Sequence, residues 1–349
     1  MERDISVMSY NEIRLPAEWE PHAFCLMAWA IHREWGMYAD AVRRELHEVI
    51  ITIAEYDTVY LLTPSDQIPE AKRQSFGPNV EILSAPVDDI WMRDIAPTFA
   101  VRGNGAVAID WNFNCWGSTR RARPGDSLAR SLAARLGLAT IRAPFVAEGG
   151  AFVTDGEGTV IVTKSCLLNE NRNPRIGRSV LAQMEEIERG FSTVGGRKII
   201  WLQGDVDEPF TNGHADGYLL FTKPGAILVE APDPEMTTLA NRSGDIDVLQ
   251  SEADSRGGLM TVSSILPPRR RHWRFRGRTF APSYLNAYLA NGAVITGKFG
   301  DTERDEAAHS VLRKSFPSRD IRMLSIDHIA LGGGGIHCIT QPMPSTSRK

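Results

Sequence analysis

A cysteine close behind a run of four glycines is the residue best placed for covalent chemistry in this sequence. Cys338 follows residues 332–335, all glycine, and the dipeptide Ile336-His337. Glycine has no Cβ atom, so a ligand or another segment of backbone can approach closely there. Cys338 is therefore a candidate nucleophile, with a buried structural thiol as the alternative. In an extended segment neighbouring side chains point to opposite faces, so His337 is not expected to be the direct base for Cys338.

A histidine and an aspartate two residues apart could carry out proton transfer. His214 and Asp216 lie within residues 211–217, and on a strand this spacing places both side chains on one face. A carboxylate beside a histidine stabilises the imidazolium, which suits a general acid or base. Two alternatives stay open: a turn in which the histidine binds a backbone carbonyl, and a zinc site formed with Cys338. No second histidine or cysteine cluster supports zinc, so we predict no metal.

Further carboxylates stand beside a tryptophan and beside glycines. Residues 88–94 read DDIWMRD and contain Trp91 and Asp94, and Glu148 directly precedes two glycines. Asp94 by itself would more often be a helix cap or the partner of an arginine. Together with Asp216, these residues could bind a planar guanidinium through forked hydrogen bonds and a cation–π contact. The acidic motifs therefore favour a cationic ligand.

Composition limits the class of protein that must position these residues. The chain has 349 residues, a net charge of −4 and 42% hydrophobic residues, which exclude a globally basic nucleic-acid binder and a disordered chain. Its longest apolar stretch, residues 23–31, is too short to span a bilayer. The N-terminus does not have the pattern of a signal peptide. No cysteine belongs to a C-x-x-C pair, so Cys25, Cys115 and Cys166 are expected to be packing residues in a cytoplasmic protein.

Helices and strands are predicted to alternate along the chain. Helical spacing of apolar residues predicts helices at 37–55, 127–136, 179–188 and 303–315. Short β-branched runs predict strands at 58–63, 107–109, 159–163, 198–202, 227–229 and 293–296. The alternation indicates an α/β fold. No clear sequence repeat is visible, although the recurrence of two strands, a helix and a strand would suit a radially repeated structure.

One segment departs from the acidic balance of the chain. Residues 267–278 read PPRRRHWRFRGR, in which six arginines are interleaved with Trp273 and Phe275. Such a segment could neutralise phosphates and stack on nucleobases. The alternative is a solvated loop whose arginines pair with nearby acids. We expect the second, because the protein around the segment is acidic.

Eight motifs in order along the chain give a specific family resemblance. They are LPAEWEPH (15–22), DDIWMRD followed by APTF (88–99), EGGAFVTDGEGTVIVT (148–163), CLLNENRNP (166–174), NGHADG (212–217), SYLNAYLANGAVI (283–295), FGD (299–301) and GGGGIHCITQPMP (332–344). In these motifs the chain resembles the agmatine deiminase and bacterial peptidylarginine deiminase family of guanidine-modifying enzymes. The matches extend over nearly the whole sequence.

The resemblance implies a fold and a role for each motif residue. The fold would be a five-bladed pseudo-symmetric α/β propeller of ββαβ units, formed as a single catalytic domain by residues 1–349. The implied roles are Cys338 as nucleophile, His214 as acid and base, Asp94 and Asp216 as guanidinium-binding carboxylates, Glu148 as a further catalytic acid, Trp91 as an aromatic wall and Asn286 as a lining residue. No cofactor, nucleic acid or membrane is implied; the partners would be a small guanidino substrate and a second copy of the chain.

The implied reaction is the hydrolytic deimination of a guanidino compound through a covalent thiouronium on the cysteine, with agmatine and N-carbamoylputrescine as first candidates for substrate and product. Gly217 and Gly335 stand where the family's agmatine enzymes usually have asparagine, and residues 203–210 also differ. Another guanidino substrate is therefore an alternative. Transfer of the amidino group to an amine is a second alternative. A non-enzymatic propeller that binds a partner through residues 269–278 is a third.

Overall fold

Strands and helices alternate along the chain in the computed structural model, which describes residues 13–118, 128–233 and 242–346. The strands are β1 (Ile13–Arg14), β2 (His22–Ala28), β3 (Val59–Thr63), β4 (Val80–Ser84), β5 (Thr98–Arg102), β6 (Gly105–Asp110), β7 (Thr140–Arg142), β8 (Phe152–Thr154), β9 (Thr159–Thr163), β10 (Lys198–Leu202), β11 (Leu219–Lys223), β12 (Ala226–Glu230), β13 (Thr261–Ile265), β14 (Tyr288–Ala290), β15 (Ala293–Lys298), β16 (Asp320–Ser325) and β17 (Gln341–Pro344).

The helices separate these strands. They are α1 (Ala39–Ala54), α2 (Ile68–Ala71), α3 (Met92–Ile95), α4 (Cys115–Ser118), α5 (Leu128–Arg135), α6 (Lys164–Leu167), α7 (Val180–Ser192), α8 (Arg242–Ser251), α9 (Thr302–Ser315) and α10 (Asp327–Leu331), with short 3₁₀ segments at Arg33–Tyr38, Gly149–Ala151, Ala215–Gly217 and Arg270–His272. The four predicted helices correspond to α1, α5, α7 and α9, although residue 127 lies outside the described ranges. The six predicted strands correspond to β3, β6, β9, β10, β12 and β15.

The strands form five small sheets that repeat one pattern. Their orders are β1-β5-β6-β7, β10-β9-β8, β11-β12-β13, β14-β15-β16 and β17-β2-β3-β4. In each sheet an antiparallel pair is followed by a parallel pair, and a helix connects the two parallel strands. This ββαβ unit occurs five times, so the fold is an α/β propeller and the predicted fold class is confirmed.

The last strand of the described chain pairs with its second strand. Strand β17 pairs antiparallel with β2, with Gln341 opposite Leu26 and Met343 opposite Phe24. The unit that contains the last strand is therefore completed by strands from the beginning of the chain. This pairing brings the segment around Cys338 to the same part of the molecule as the segments that precede the other first strands.

Apolar side chains on one helix face hold each helix against its sheet. In α1 the buried residues Val42, Leu46, Val49 and Ile53 recur at helical spacing and belong to one hydrophobic cluster with strands of three sheets. The start of α7 is fixed by the side chain of Ser179, which accepts a hydrogen bond from a backbone N–H at 3.1 Å. Within the described residues, no helix combines the length and the apolar character needed to cross a membrane.

Candidate active site

Five equivalent turns carry the candidate functional side chains. In each ββαβ unit these residues come shortly before the first strand: Asp94 before β5, Glu148 before β8, His214 and Asp216 before β11, Asn286 before β14 and Cys338 before β17. Because the five sheets repeat one unit, residues from these turns meet although they are far apart in sequence. The contacts described below join all five turns.

Cys338 is held by the side chain of Asn286. The Asn286 Oδ1 atom accepts a hydrogen bond from the Cys338 backbone N–H at 3.2 Å, and its Nδ2 atom lies 3.2 Å from Cys338 Sγ. The Cys338 Sγ atom also lies 3.6 Å from Asp216 Oδ2. A Cβ atom on Gly335 would stand 2.7 Å from Asn286 Oδ1. Glycine at this position therefore leaves room for the Asn286 side chain to contact Cys338. The thiol is thus fixed beside a carboxylate.

The segment around Cys338 is a turn, which corrects the extended backbone assumed from the sequence. The Thr340 backbone N–H donates to the His337 carbonyl at 3.2 Å, and its hydroxyl donates to the Ile336 carbonyl at 3.0 Å. The ring of His337 instead contacts two carboxylates: Nδ1 lies 2.7 Å from Asp216 Oδ2 and Nε2 lies 3.2 Å from Glu18 Oε1. His337 therefore positions Asp216.

His214 precedes a 3₁₀ segment, which corrects the strand expected at this position. Asn212 and Gly213 have φ values of 59° and 86°, and these left-handed residues turn the chain before His214. The imidazole still reaches the carboxylates: its Nε2 atom is 3.3 Å from Glu148 Oε2, and its Nδ1 atom is 3.8 Å from Asp216 Oδ1. The sequence pair is therefore close in space through a tight turn.

Two buried polar atoms at this centre have no hydrogen-bond partner among the described residues. They are His214 Nδ1 and Asp216 Oδ1. Unpaired buried polar atoms cost free energy, and they are often satisfied by a ligand. The Cys338 Sγ atom is near the other oxygen of the same aspartate. A planar cation bound at Asp216 would therefore lie beside the thiol and the imidazole.

Asp94 is fixed by donors from helix α4 and from the turn that contains Glu148. Its Oδ2 atom accepts from Trp116 Nε1 at 2.8 Å, and its Oδ1 atom accepts from the Gly150 backbone N–H at 2.9 Å. Burial raises the pKa of Asp94, as do the charges of Asp216 and Glu148, although His214 acts in the other direction. An additional cation in the centre would therefore stabilise the ionised form of Asp94.

Glu148 forms a fully buried ion pair with Arg172. The Nε atom of Arg172 donates to both carboxylate oxygens, at 2.9 and 3.1 Å, and its Nη1 atom donates to Asn212 Oδ1 at 2.8 Å. Burial would raise the pKa of Glu148, but Arg172 and His214 together hold it below its usual value. An ionised Glu148 then holds one nitrogen of His214. Glu148 thus orients the imidazole.

The ionisation of the thiol and the imidazole follows from burial and charge. Burial, together with the charges of Asp216 and Asp94, raises the pKa of the Cys338 thiol well above its ordinary value. Burial opposes the charged form of His214, but the charge of Asp94 and the hydrogen bond with Glu148 raise its pKa well above the usual value. Both shifts favour the protonated forms, a neutral thiol and an imidazolium, in the free site.

One group of potential metal ligands lies inside the site. Glu148, Cys166 and His214 are buried and offer ligand atoms within 4.8 Å of one another. The guanidinium of Arg172 already binds both oxygens of Glu148, so its positive charge would oppose a cation there. We assign no metal to this group. Cys166, expected to be a packing residue, nevertheless lies beside the candidate acid and base.

Trp91 lies behind the glycine run. A Cβ atom on Gly332 or Gly334 would stand 2.9 or 2.7 Å from its ring, and the same hypothetical atom on Gly334 would be 3.0 Å from Cys338 Sγ. The ring is 8% exposed and packs against Trp35 with a centroid distance of 6.2 Å. The predicted role of Trp91 as an aromatic wall stays a prediction.

A single cavity of about 540 Å³ is lined at its inner end by Cys338, His214, Asp216 and Asn286. This volume is in the range of small-molecule sites. Its outer part is lined partly by the arginine-rich segment at residues 267–278. The cavity therefore joins the reactive centre to a charged mouth.

The arginine-rich segment is anchored to the protein by its ends and by its aromatic residues. Arg269 forms an ion pair with Asp301, with Nε 2.8 Å from Oδ2. The rings of Trp273 and Phe275 pack on Phe280, with centroid distances of 5.5 and 5.9 Å. These aromatic rings contribute to the packing of the protein rather than standing free for nucleobases.

Several residues of the site were not identified from the sequence, although all of them except Trp116 lie within the family motifs. Arg93 donates to Glu18 Oε1 at 2.8 Å, and Glu18 in turn contacts His337. Burial would raise the pKa of Glu18, whose side chain is 23% exposed, but the charges of Arg93 and His337 hold this pKa well below its ordinary range. Arg172 and Trp116 fix Glu148 and Asp94 as described above. No local pattern signals these pairings, because each joins distant segments.

Replacing Gly150 by alanine is expected to lower kcat/KM by about 100-fold, since small displacements of reacting groups cost that much. The new Cβ atom would stand 2.6 Å from His214 Nδ1 and 2.9 Å from Asp216 Oδ2, so both side chains must move. Ammonia release measures the loss, and thermal unfolding monitors the fold. Gly244→Ala in α8 is the matched control, because its Cβ atom meets nothing within 4 Å. Equal activity of the two variants would contradict this geometry.

Comparison with known proteins agrees with this fold. Residues 14–344 match the family described as Porphyromonas-type peptidyl-arginine deiminase. An agmatine deiminase of Medicago truncatula is 33% identical over 97% of this chain and 98% of its own length. The agmatine deiminase structure of Enterococcus faecalis superposes with a TM-score of 0.87 at 26% identity, covering 96% of both chains. The agmatine deiminase structure of C. jejuni superposes with a TM-score of 0.79 at 21% identity, covering 95% of this chain and 96% of that chain. This similarity supports the fold.

These similarities define a guanidine-modifying enzyme with the α/β propeller fold. The chain belongs to the Porphyromonas-type peptidyl-arginine deiminase family, and the family predicted from the motifs is confirmed. It is a hydrolase that acts on the carbon–nitrogen bonds of guanidines, and its reaction is guanidino deimination.

Proposed function

We propose that this enzyme hydrolyses agmatine to N-carbamoylputrescine and ammonia through a covalent intermediate on Cys338. The observation that carries the proposal is the position of the thiol, 3.6 Å from Asp216 Oδ2, at the inner end of a cavity where Asp216 Oδ1 and His214 Nδ1 are unpaired. Agmatine is the first candidate because relatives over nearly the full length of the chain carry that activity in their names.

In the first half-reaction the substrate guanidinium binds at Asp216, with Asp94 as the second carboxylate of the centre. Its positive charge favours release of the thiol proton to solvent, because it offsets the carboxylates that raise the pKa of Cys338. The thiolate attacks the guanidinium carbon and forms a carbon–sulfur bond. His214, present as the imidazolium, then gives a proton to the departing nitrogen, so that ammonia leaves and a thiouronium remains on the sulfur.

In the second half-reaction a water molecule replaces ammonia at the same position. His214 has lost its proton and accepts one from this water, while Glu148 keeps the imidazole oriented through the contact at 3.3 Å. Attack of the hydroxide on the thiouronium carbon breaks the carbon–sulfur bond. The hydroxyl proton of the resulting adduct passes to the departing sulfur, which leaves a substituted urea and the neutral thiol of Cys338. His214 is again the imidazolium, and the proton released to solvent in the first half-reaction converts the ammonia to ammonium.

A screen of guanidino compounds tests this proposal. Agmatine, arginine, a peptidyl-arginine and 4-guanidinobutyrate are incubated with the enzyme, and both ammonia and the ureido product are measured without any added amine. We expect agmatine to give the highest kcat/KM and equal amounts of the two products. Failure of every compound to react would reject the deimination, and preference for another compound would reject agmatine.

The organisation of the protein also belongs to this proposal. We propose one catalytic domain formed by residues 1–349, supported by the pairing of β17 with β2. A cytoplasmic location is supported by four cysteines that are all free thiols. The homodimer and the lack of nucleic-acid binding stay predictions.

A further inference from the structure

Glu230 is a buried carboxylate on the wall of the active-site cavity, outside the group of side chains around Cys338. It is the last residue of β12 and is 6% exposed. Its backbone N–H donates to the Tyr218 carbonyl at 2.9 Å, which fixes the position of its Cα atom. None of the described residues donates a hydrogen bond to its carboxylate. Within the part of the chain that the structure describes, the Glu230 carboxylate thus has no donor, and the residue lines the substrate cavity.

The distance from Glu230 to the guanidinium site suits a short linear substrate. Tyr218 is two residues beyond Asp216 and is paired with Glu230, so the backbones of the two acids are within roughly 10 Å. Gly217 lies between them, and a Cβ atom there would meet nothing within 4 Å. Gly217 thus adds no side chain to the space between the carboxylate that would bind the guanidinium and the one farther out.

No cation among the described residues forms an ion pair with the Glu230 carboxylate. Arg242 is stacked on the Tyr218 ring at 3.4 Å, and its nearest described carboxylate is that of Asp245 at 3.9 Å. Burial and the charge of Asp233 raise the pKa of Glu230 to about 7, although Arg242 opposes this shift. A buried carboxylate without donors is costly, and an ammonium group of a ligand would supply the missing donors.

The other acids in the outer cavity are already used by the protein. Glu208 accepts hydrogen bonds from the backbone and the hydroxyl of Thr211, at 2.5 and 2.6 Å. Asp205 accepts a hydrogen bond from the backbone N–H of Asp207 at 3.1 Å, and Asp207 itself is exposed. These acids hold the loop before His214 or face solvent, which leaves Glu230 as the buried acceptor for a ligand.

We propose that Glu230 binds a distal ammonium group of the substrate and thereby restricts the enzyme to guanidines that carry an amino group at their far end. This inference rests on the proposed deimination at Cys338 and adds the residue that selects among guanidino compounds. In agmatine, four methylene groups separate the guanidinium from such an ammonium.

The test compares agmatine with butylguanidine, which has the same carbon chain without the ammonium, and with 4-guanidinobutyrate, which carries an anion. For the wild-type enzyme, we expect kcat/KM to be about 100-fold higher with agmatine than with butylguanidine. Glu230→Gln should lower the value for agmatine by about 10- to 100-fold, mainly through KM, and leave that for butylguanidine within twofold. Asp207→Asn removes the same charge at an exposed position of the cavity and should change neither value by more than threefold.

Distinct results would overturn this inference or its premise. Equal use of agmatine and butylguanidine by the wild-type enzyme would overturn the role of Glu230 even if Glu230→Gln does not fold. The same conclusion follows if Glu230→Gln affects both substrates alike, or if Asp207→Asn has as large an effect. A wild-type enzyme that prefers 4-guanidinobutyrate would overturn the inference as well. The distal group of the substrate would then be bound by arginines such as Arg242 and not by Glu230. Failure of the wild-type enzyme to use any guanidine would reject the proposed function and, with it, this selection.

Discussion

Replacement of Cys338 by serine is expected to reduce ammonia release by at least about 10⁴-fold, as for other enzymes that lose their nucleophile. The hydroxyl of serine has nearly the shape of the thiol but is far less acidic and a weaker nucleophile. In this centre even the thiol has a raised pKa because it is buried beside Asp216 and Asp94. A hydroxyl at the same place will therefore stay protonated when the substrate binds.

The fold of this variant should be preserved. Asn286 holds the Cys338 backbone N–H through its Oδ1 atom, and this hydrogen bond does not depend on the sulfur. Thermal unfolding and circular dichroism check the structure. Cys25→Ser is the matched control, because it makes the same atomic change at a buried thiol in strand β2. Activity of Cys338→Ser within tenfold of the wild-type value would exclude a covalent role for the thiol.

Replacement of His214 by glutamine is expected to lower kcat by about 10³-fold, within the usual contribution of a general acid and base. Glutamine can accept and donate hydrogen bonds near Glu148, but it cannot carry the proton that leaves with ammonia. It also cannot remove the proton of the water that attacks the thiouronium. If the second step is slowed more than the first, the covalent intermediate accumulates. Rapid-quench kinetics separate the two steps.

His328→Gln provides a control outside the centre. The ring of His328, in helix α10, contacts Glu45 and not the group around Cys338. We therefore expect this substitution to change kcat by less than threefold. Thermal unfolding of both variants distinguishes loss of chemistry from loss of fold. A His214→Gln enzyme with an unchanged kcat and an unchanged pH profile would show that another group transfers the protons.

The regular elements could be predicted because their signals are local. The apolar spacing of Val42, Leu46, Val49 and Ile53 sets the buried face of α1, and β9 and β10 begin and end where the β-branched runs do. The fivefold repetition was only suggested, because the repeat is in the order of elements and not in residue identity. The family motifs supplied the propeller and the candidate site residues.

The contacts within the site could not be predicted, because they join segments that are far apart along the chain. The extended backbone assumed at Cys338 is a turn, and His337 turns its ring to Asp216 and Glu18. His214 follows two left-handed residues rather than lying on a strand. The ion pair between Glu148 and Arg172 likewise becomes evident only in the folded structure. Sequence patterns indicate which residue types react; their pairing depends on tertiary structure.

The most direct test of the covalent reaction at Cys338 is peptide mapping by mass spectrometry after acid quenching of His214→Gln with agmatine. We expect the peptide that contains Cys338 to gain the mass of the substrate less that of ammonia, and the peptides with Cys25, Cys115 and Cys166 to be unmodified. The wild-type enzyme should show the same adduct at a lower level. Turnover without this adduct in either protein, or an adduct on another cysteine, would contradict the reaction proposed here.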